Sequence, residues 1–315
     1  MTRYEKGIQT IINDCLGVKK GERAIVVCDT PKRKIGTDLF DNLVKSGCDA
    51  SLFEIMPLRQ HGEEPPKYVA DLLKQAQVFL IPTSKSMTHT EARRNAVKAG
   101  ARGATLPDVT EEMIAGPMLV DHKEILKRNN KLSRLLKGTK KIIITSKKGT
   151  DVEINAEGRH FHEDSGYLVK PGSFSNLPAG EVYAAPYEGR SSGVVIFDAS
   201  FSGIGMLKEP ISIEIEKGRA SRIKGDRGRL SRMLDVAGYY GRNLAEIGIG
   251  TNDKARITGF VLEDEKVMGT IHLAFGDNSN FGGKVKADVH LDGLVLKPTL
   301  IADGRTIIKD GRLLI

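Results

Sequence analysis

Histidine and carboxylate side chains recur in apolar or glycine-rich segments of the C-terminal half. The clearest spacing is that of His290 and Asp292 in "KADVHLDGLV", residues 286–295, a segment whose alternation is typical of a strand. Residues i and i+2 of a strand point to the same face, so both side chains can reach one ion. A surface histidine beside a surface aspartate is the plainer alternative. Asp288 lies on the same face and is interpreted as a solvent-facing or supporting residue.

His272 lies in "GTIHLAFGDN", where a strand would normally carry an apolar residue. A core histidine with satisfied hydrogen bonds would explain it. If this strand and that of His290 are neighbours, however, two imidazoles and one carboxylate share a face. Two histidines and one carboxylate suit non-haem iron, and further carboxylates would suit zinc, cobalt or manganese.

Two glutamates extend this set. Glu246 lies in the apolar strand "LAEIGIG", and a glutamate is rarely buried unless it is paired or binds a metal. An edge strand with Glu246 in solvent is the alternative. Glu181, in the turn-rich "NLPAGEVYAAP", carries little signal by itself. Three carboxylates and two imidazoles are too many for a closed tetrahedral site, and they suit two ions that share a bridging carboxylate and activate a water for hydrolysis.

The elements that must position these residues follow two patterns. Residues 1–139 alternate apolar strands, such as "RAIVVCD" and "QVFLIP", with amphipathic helices, which predicts an α/β domain with an open parallel sheet flanked by helices. Helices are expected at 4–16 and across 109–136, with Thr88 or Thr90 as the cap of another. This half has no glycine-rich phosphate motif, so we do not expect it to bind a nucleotide.

Residues 140–315 show short strands separated by tight turns, among them "EKGRA" and "KDGRL". This pattern predicts an α+β, mostly antiparallel, metal-binding catalytic domain.

Composition narrows the partners. The 315 residues carry a formal charge of +8, which raises nucleic acid as a partner, but the basic residues are scattered over amphipathic helices and aromatics make up only 5%. We therefore expect no nucleic-acid partner. No apolar run approaches the ~20 residues that a membrane helix needs, so we expect no membrane partner either. The three cysteines form no C-x-x-C pair, and the N-terminus lacks the apolar centre of a signal peptide, which favours a reducing, cytoplasmic setting.

The segments "NLPAGEVYAAP", "LAEIGIG", "GTIHLAFGDN" and "VHLDG" resemble, in order and spacing, the motifs of the thermophilic metallo-aminopeptidases, the aminopeptidase T and aminopeptidase S group. "SKSMTHTEARRNAVKAGAR" is similar to a further segment of that family. The resemblance implies a short member: a cytoplasmic homodimer that removes N-terminal residues from peptides or acts on a small molecule. It implies two divalent ions (zinc, cobalt, manganese or magnesium), with Glu246 as the bridge and Glu181 as a possible proton shuttle. The implied ligands are Glu181, Glu246, His272, His290 and Asp292.

The sequence departs from that family in one motif. The family's tyrosine, seven residues after the motif histidine, is Ser279 here, and Tyr183 or Tyr187 is a candidate to replace it in space. Asn278 and the glycines of "FGG" are candidates to line the pocket.

A related group, the 2,5-dihydroxypyridine ring-opening dioxygenases, uses one iron held by two histidines and one aspartate. His272, His290 and Asp292 would supply that triad here. The presence of Glu181 and Glu246 favours the hydrolase, because a site for one iron needs no further carboxylate ligands.

Overall fold

The computed structural model describes all residues, Met1–Ile315. The α-helices, numbered α1 to α8 in chain order, are Arg3–Gln9, Arg33–Lys45, Lys67–Leu73, Glu91–Lys98, Glu111–Ala115, His122–Leu136, Arg229–Val236 and Val261–Asp264. The strands, numbered β1 to β20, are Arg23–Asp29, Asp49–Ile55, Val78–Ile81, Arg102–Thr105, Lys141–Thr145, Asp151–Asn155, His162–Asp164, Phe174–Asn176, Glu181–Ala184, Ser192–Phe197, Ser200–Phe201, Gly205–Met206, Ile211–Glu216, Arg219–Lys224, Leu244–Gly250, Ile271–Gly276, His290–Val295, Thr299–Ala302, Arg305–Lys309 and Arg312–Leu313. No helix combines the length and the apolar character needed to span a membrane.

The chain forms two compact units. The first comprises Met1–Leu126 and Asp164–Ala179 and contains a five-stranded sheet in the order β2-β1-β3-β4-β8. All four strand pairs are parallel, which confirms the open parallel sheet. Strand β3 is buried throughout, as a parallel strand covered on both faces should be. Thr90 caps α4 by accepting a hydrogen bond from the Arg93 amide, so one of the two candidate caps is confirmed.

Helices in this unit are more broken than the sequence pattern predicts. The expected helix over 109–136 is divided into α5, a 3₁₀ turn at Pro117–Leu119, and α6. Pro117 has no amide hydrogen and disfavours helical geometry at Gly116, so α5 ends there. The opening helix over 4–16 changes at Thr10 from α to π geometry.

The second unit comprises Lys127–Glu163 and Gly180–Ile315 and contains two sheets. The eight-stranded sheet has the order β14-β13-β10-β6-β5-β18-β19-β20, and the seven-stranded sheet has the order β12-β11-β17-β16-β15-β9-β7. Their shared core includes Ile144 and Val195 from the first of these sheets and Leu273 and Phe275 from the second. The α+β, mostly antiparallel architecture is thereby confirmed.

The two predicted tight turns are confirmed. Lys217 and Gly218 between β13 and β14 have φ values of 48° and 67°, and Asp310 and Gly311 between β19 and β20 have 47° and 79°. Two successive positive φ values define the type I′ turn that matches the twist of a hairpin.

The predicted domain limits, 1–139 and 140–315, stay a prediction. The compact units differ from them in two segments, because Lys127 onward joins the second unit within α6 and Asp164–Ala179 returns to the first. The returning segment supplies β8, which pairs in parallel with β4. At three residues, "FSN", this strand is too short to produce a periodic signal.

Candidate metal centre

The predicted site residues lie on four neighbouring strands of the seven-stranded sheet. Glu181 begins β9, Glu246 lies in β15, His272 in β16, and His290 and Asp292 in β17. The condition for the two imidazoles and Asp292 to share a face is met, since β16 pairs antiparallel with β17. The strand predicted to begin at 286 begins at His290, and residues 277–289 form a loop.

The register of these strands places all five side chains on one face. Directly paired residues are Glu181 with Gly250, Gly248 with His272, and Ala274 with Asp292. Side chains of paired residues and of alternate positions share a face. Gly248 and Ala274 lie between these side chains on the same face and leave room for them, since a Cβ on Gly248 would lie 1.9 Å from His272 Nε2. The opposite face carries Ile247 and Leu273 into the core.

The side chains converge around Glu246. His272 Nε2 lies 3.3 Å from Glu246 Oε1 and 3.3 Å from Glu181 Oε2. His290 Nε2 lies 3.3 Å from Glu246 Oε2 and 3.5 Å from Asp292 Oδ1. Three sets of three possible ligand atoms therefore lie within 4.8 Å of one another, and they are Glu181–Glu246–His272, Glu246–His290–Asp292 and Glu265–His272–Asp292. The structure thus brings all five predicted residues together.

Two features of the cluster indicate that its donor set fits a divalent cation. Glu181 Oε2 is buried and forms no hydrogen bond, and the nearest ring nitrogen, His272 Nε2, lies 3.3 Å from it. His290 Nδ1 lies 2.8 Å from the Asp277 carbonyl oxygen and can donate to it. Such a bond directs the other ring nitrogen, Nε2, toward the carboxylates and is typical of histidines that bind metals.

Two further residues of the cluster escaped the sequence analysis. The Lys266 side chain is 1% exposed, and its Nζ lies 2.6 Å from Glu181 Oε1 and 2.6 Å from Glu265 Oε1. These two residues, Glu265 and Lys266, follow α8 in "LEDEKV", a segment whose pattern is typical of charged residues exposed to solvent. Its position directly before the His272 strand was the one available signal.

The cluster shifts the pKa values of its members strongly. Burial would raise the pKa of Glu181 and Glu246, but Lys266 and His272 around Glu181, and the two imidazoles around Glu246, lower both to about 2. Burial raises the pKa of Glu265 to about 8, against the attraction of Lys266. Burial would lower the pKa of His272 and His290, yet the neighbouring carboxylates raise both well above the usual value. The cluster therefore holds protons that a bound ion must displace.

A row of aromatic rings adjoins the His290 side. The Phe281 ring lies 5.8 Å from that of His290 and 5.6 Å from that of Tyr183, which in turn stacks on His162 at 5.4 Å. Ser279, at the position of the family tyrosine, is exposed and bonds Asp277.

Of the two tyrosines considered as replacements for that family residue, Tyr183 lies in this row. Tyr187 lies instead under the guanidinium groups of Arg159 and Arg190.

Curated proteins similar to this chain include one dihydroxypyridine dioxygenase and one aminopeptidase T. The 2,5-dihydroxypyridine 5,6-dioxygenase of Pseudomonas putida is 23% identical over 251 residues, covering 74% of this chain and 70% of that protein. The aminopeptidase T of Thermus thermophilus is 28% identical over 185 residues, covering 52% of this chain and 44% of that protein.

Two solved structures share the fold. That of the dioxygenase from P. putida KT2440 has a TM-score of 0.80 at 18% identity and covers 99% of this chain and 97% of its own. That of wild-type AmpT from T. thermophilus has a TM-score of 0.76 at 17% identity and covers 99% of each chain. These likenesses establish the fold, which the two enzymes have in common.

The family comparison separates the two groups. A family model described as "NicX: 2,5-dihydroxypyridine 5,6-dioxygenase" matches residues 14–315. The resemblance to the aminopeptidases therefore holds for the fold and part of the sequence. Because the match extends over nearly the whole chain, the protein belongs to the NicX, 2,5-dihydroxypyridine 5,6-dioxygenase, family.

Proposed function

We propose that the protein is a metal-dependent dioxygenase that opens a hydroxylated aromatic ring, with one ferrous ion held by His272, His290 and Asp292. The observation that carries this proposal is the presence of that triad on two adjacent strands in a chain matched by the dioxygenase family over residues 14–315. The preference drawn from the sequence, which favoured the hydrolase, is thereby reversed.

The protein's own residues have separable roles in this proposal. A ferrous ion supplies the one-electron chemistry that dioxygen requires. The Asp277 carbonyl orients the His290 ring. Lys266 donates hydrogen bonds to Glu181 and Glu265 at one side of the cluster. With a pKa near 8, the Glu265 carboxyl can hold or release a proton near neutral pH.

A two-ion aminopeptidase is the second candidate, and the position of Glu246 favours it. Two of the three ligand sets share Glu246, as a bridging carboxylate would. Lewis acidity and an activated water are what two bound ions would supply. Glu181 is a poor proton shuttle here, because Lys266 binds it and its pKa is about 2. Glu265 is better suited to that role.

Metal content and two assays test these functions together. Protein reconstituted with ferrous iron should bind one ion per chain and consume dioxygen with loss of the absorbance of 2,5-dihydroxypyridine. Protein reconstituted with zinc, cobalt or manganese should leave Leu-p-nitroanilide intact. Two ions per chain with release of nitroaniline would instead establish the aminopeptidase.

The homodimer and the cytoplasmic location remain proposals based on the family resemblance. Light scattering coupled to size-exclusion chromatography would test the dimer, which should give a mass of twice 34.4 kDa.

A further inference from the structure

The loop of residues 277–289, between β16 and β17, contacts the proposed site twice. Its first residue, Asp277, accepts a hydrogen bond from His290 Nδ1. Its Phe281 ring stands nearly perpendicular to the His290 ring, at an interplanar angle of 85°. Any movement of this loop would therefore alter both the orientation of His290 and the aromatic row beside it.

The loop is wound around Asn278, which is fully buried. The side-chain oxygen of Asn278, Oδ1, accepts a hydrogen bond from the Val285 amide at 2.9 Å. The backbone carbonyl of Asn278 accepts one from the Gly283 amide at 3.0 Å. A Cβ on Gly283 would lie 1.9 Å from Asn278 Cγ, so only glycine fits this approach. These contacts fix the shape of the loop but do not attach it to the rest of the unit.

Glu188 and Arg159, from two other segments, attach it. Glu188 Oε1 accepts from the Lys284 amide at 2.7 Å and from Asn278 Nδ2 at 3.1 Å. The Arg159 guanidinium pairs with Glu188 Oε2 and donates to the Gly282 carbonyl. Their side chains are 21% and 9% exposed, so water screens these charge-assisted bonds only in part.

We propose that Glu188, together with Arg159, is a positioning residue that holds the 277–289 loop so that Phe281 stands against His290 as one wall of the site. The attachment does not depend on the reaction. The use of Phe281 as a surface on which an aromatic ring stacks rests on the proposed dioxygenase function.

Hydrogen exchange in the metal-free protein tests the attachment. Glu188→Gln keeps the shape of the side chain and removes its charge, so the amides of residues 278–285 should exchange about tenfold faster, equivalent to about 1.4 kcal/mol at 25 °C. Glu157→Gln is the matched control, because Glu157 pairs with Arg190 and Lys140 instead. It should leave this exchange unchanged.

An exchange rate within about twofold of the wild type in Glu188→Gln would overturn the attachment. Arg159→Lys decides the question if Glu188→Gln does not fold. Lysine keeps the charge but lacks the planar guanidinium group whose two nitrogens contact Glu188 and Gly282. Amide exchange in residues 278–285 should therefore again be faster than in the wild type. Unchanged exchange in that variant would also overturn the proposal.

Ring binding tests the wall. With 2,5-dihydroxypyridine as the probe and iron-loaded protein kept free of oxygen, Phe281→Leu should weaken binding about tenfold, since stacking on an aromatic side chain contributes about 1–3 kcal/mol. Phe281→Tyr should restore it. Glu188→Gln should weaken binding similarly while iron content stays at the wild-type value, which a general loss of structure would not produce.

The outcomes separate the two proposals. If the wild type and Phe281→Leu bind 2,5-dihydroxypyridine equally well, Phe281 is not a wall of the site, and the proposed dioxygenase function is unaffected. If the wild type does not bind 2,5-dihydroxypyridine, both the dioxygenase function and the role of Phe281 as a wall are wrong. The hydrogen-exchange measurement still tests whether Glu188 and Arg159 hold the loop.

Discussion

Two buried polar clusters, one in each unit, differ in their chemistry. In the first unit, Thr105 and Asn176 end neighbouring parallel strands, and Thr88 joins them, with oxygens 2.6–2.9 Å apart. Carboxyl ends of parallel strands are a common place for ligands. Here their neutral groups bind one another.

The cluster around Glu246 in the second unit is charged instead. Four carboxylates surround two imidazoles and a buried ammonium, and Glu181 Oε2 forms no hydrogen bond. Neutral hydroxyl and amide groups that satisfy one another stabilise a fold, whereas a dense set of carboxylates beside imidazoles that can lose a proton is suited to a cation. Burial of polar groups alone therefore does not mark a functional site.

Removal of the buried ammonium should have the largest effect. Lys266→Met leaves Glu181 and Glu265 without their cation, so the free energy of unfolding of the metal-free protein should fall by about 3–5 kcal/mol. Urea denaturation measures it. Lys254→Met, which removes only an exposed pair with Asp253 at 3.9 Å, should cost less than about 1 kcal/mol. Equal losses of unfolding free energy in Lys266→Met and Lys254→Met would show that the buried ammonium stabilises the protein no more than an exposed one.

His290→Ala should abolish tight ion binding. Loss of a direct ligand should weaken affinity by more than about 100-fold, because even the partners behind metal ligands contribute about 10–100-fold. Competition with a chelator measures this affinity. His160→Ala, at the exposed end of the aromatic row, is the control and should bind the ion as the wild type does. Retained affinity in His290→Ala would remove this residue from the ligand set.

The neutral cluster should affect stability without affecting the ion. Thr105→Val keeps the shape of the side chain and removes its bonds to Thr88 and Asn176, which should lower the free energy of unfolding by about 1–2 kcal/mol. Ion affinity should not change. If Thr105→Val lowered ion affinity as much as His290→Ala does, the neutral cluster would also contribute to ion binding, and its role would not be limited to stability.

Ion affinity should rise with pH. The pKa values of His272 and His290 are raised, so these imidazoles still hold protons at neutral pH and an ion must displace them. Affinity should increase by up to about tenfold per pH unit for each proton released, until both rings are deprotonated. Calorimetric titration in buffers of different ionisation enthalpy would count the protons. An affinity independent of pH would contradict the raised pKa values.

Sequence periodicity predicted the elements that carry strong local signals. The apolar strands of the parallel sheet and the two tight hairpin turns are found as expected. Periodicity did not predict β8, because three residues cannot display a period. It also did not predict the division of the 109–136 helix, although Pro117 was a local signal for it.

Residue type and spacing are enough to identify most of the side chains that could bind an ion. Glu246, His272, His290 and Asp292 interrupt apolar strands, and alternation along a strand requires His290 and Asp292 to share a face. Such local rules depend only on residue type and spacing.

How these residues meet depends on long-range strand pairing. Strand register brought Glu181 beside His272, and the turn before β16 placed Lys266 between two buried carboxylates. Glu188 reached the loop of Phe281 from a segment 96 residues away from Lys284. Long-range pairing and low local dielectric, rather than any motif, give Glu181 a pKa near 2 and Glu265 one near 8.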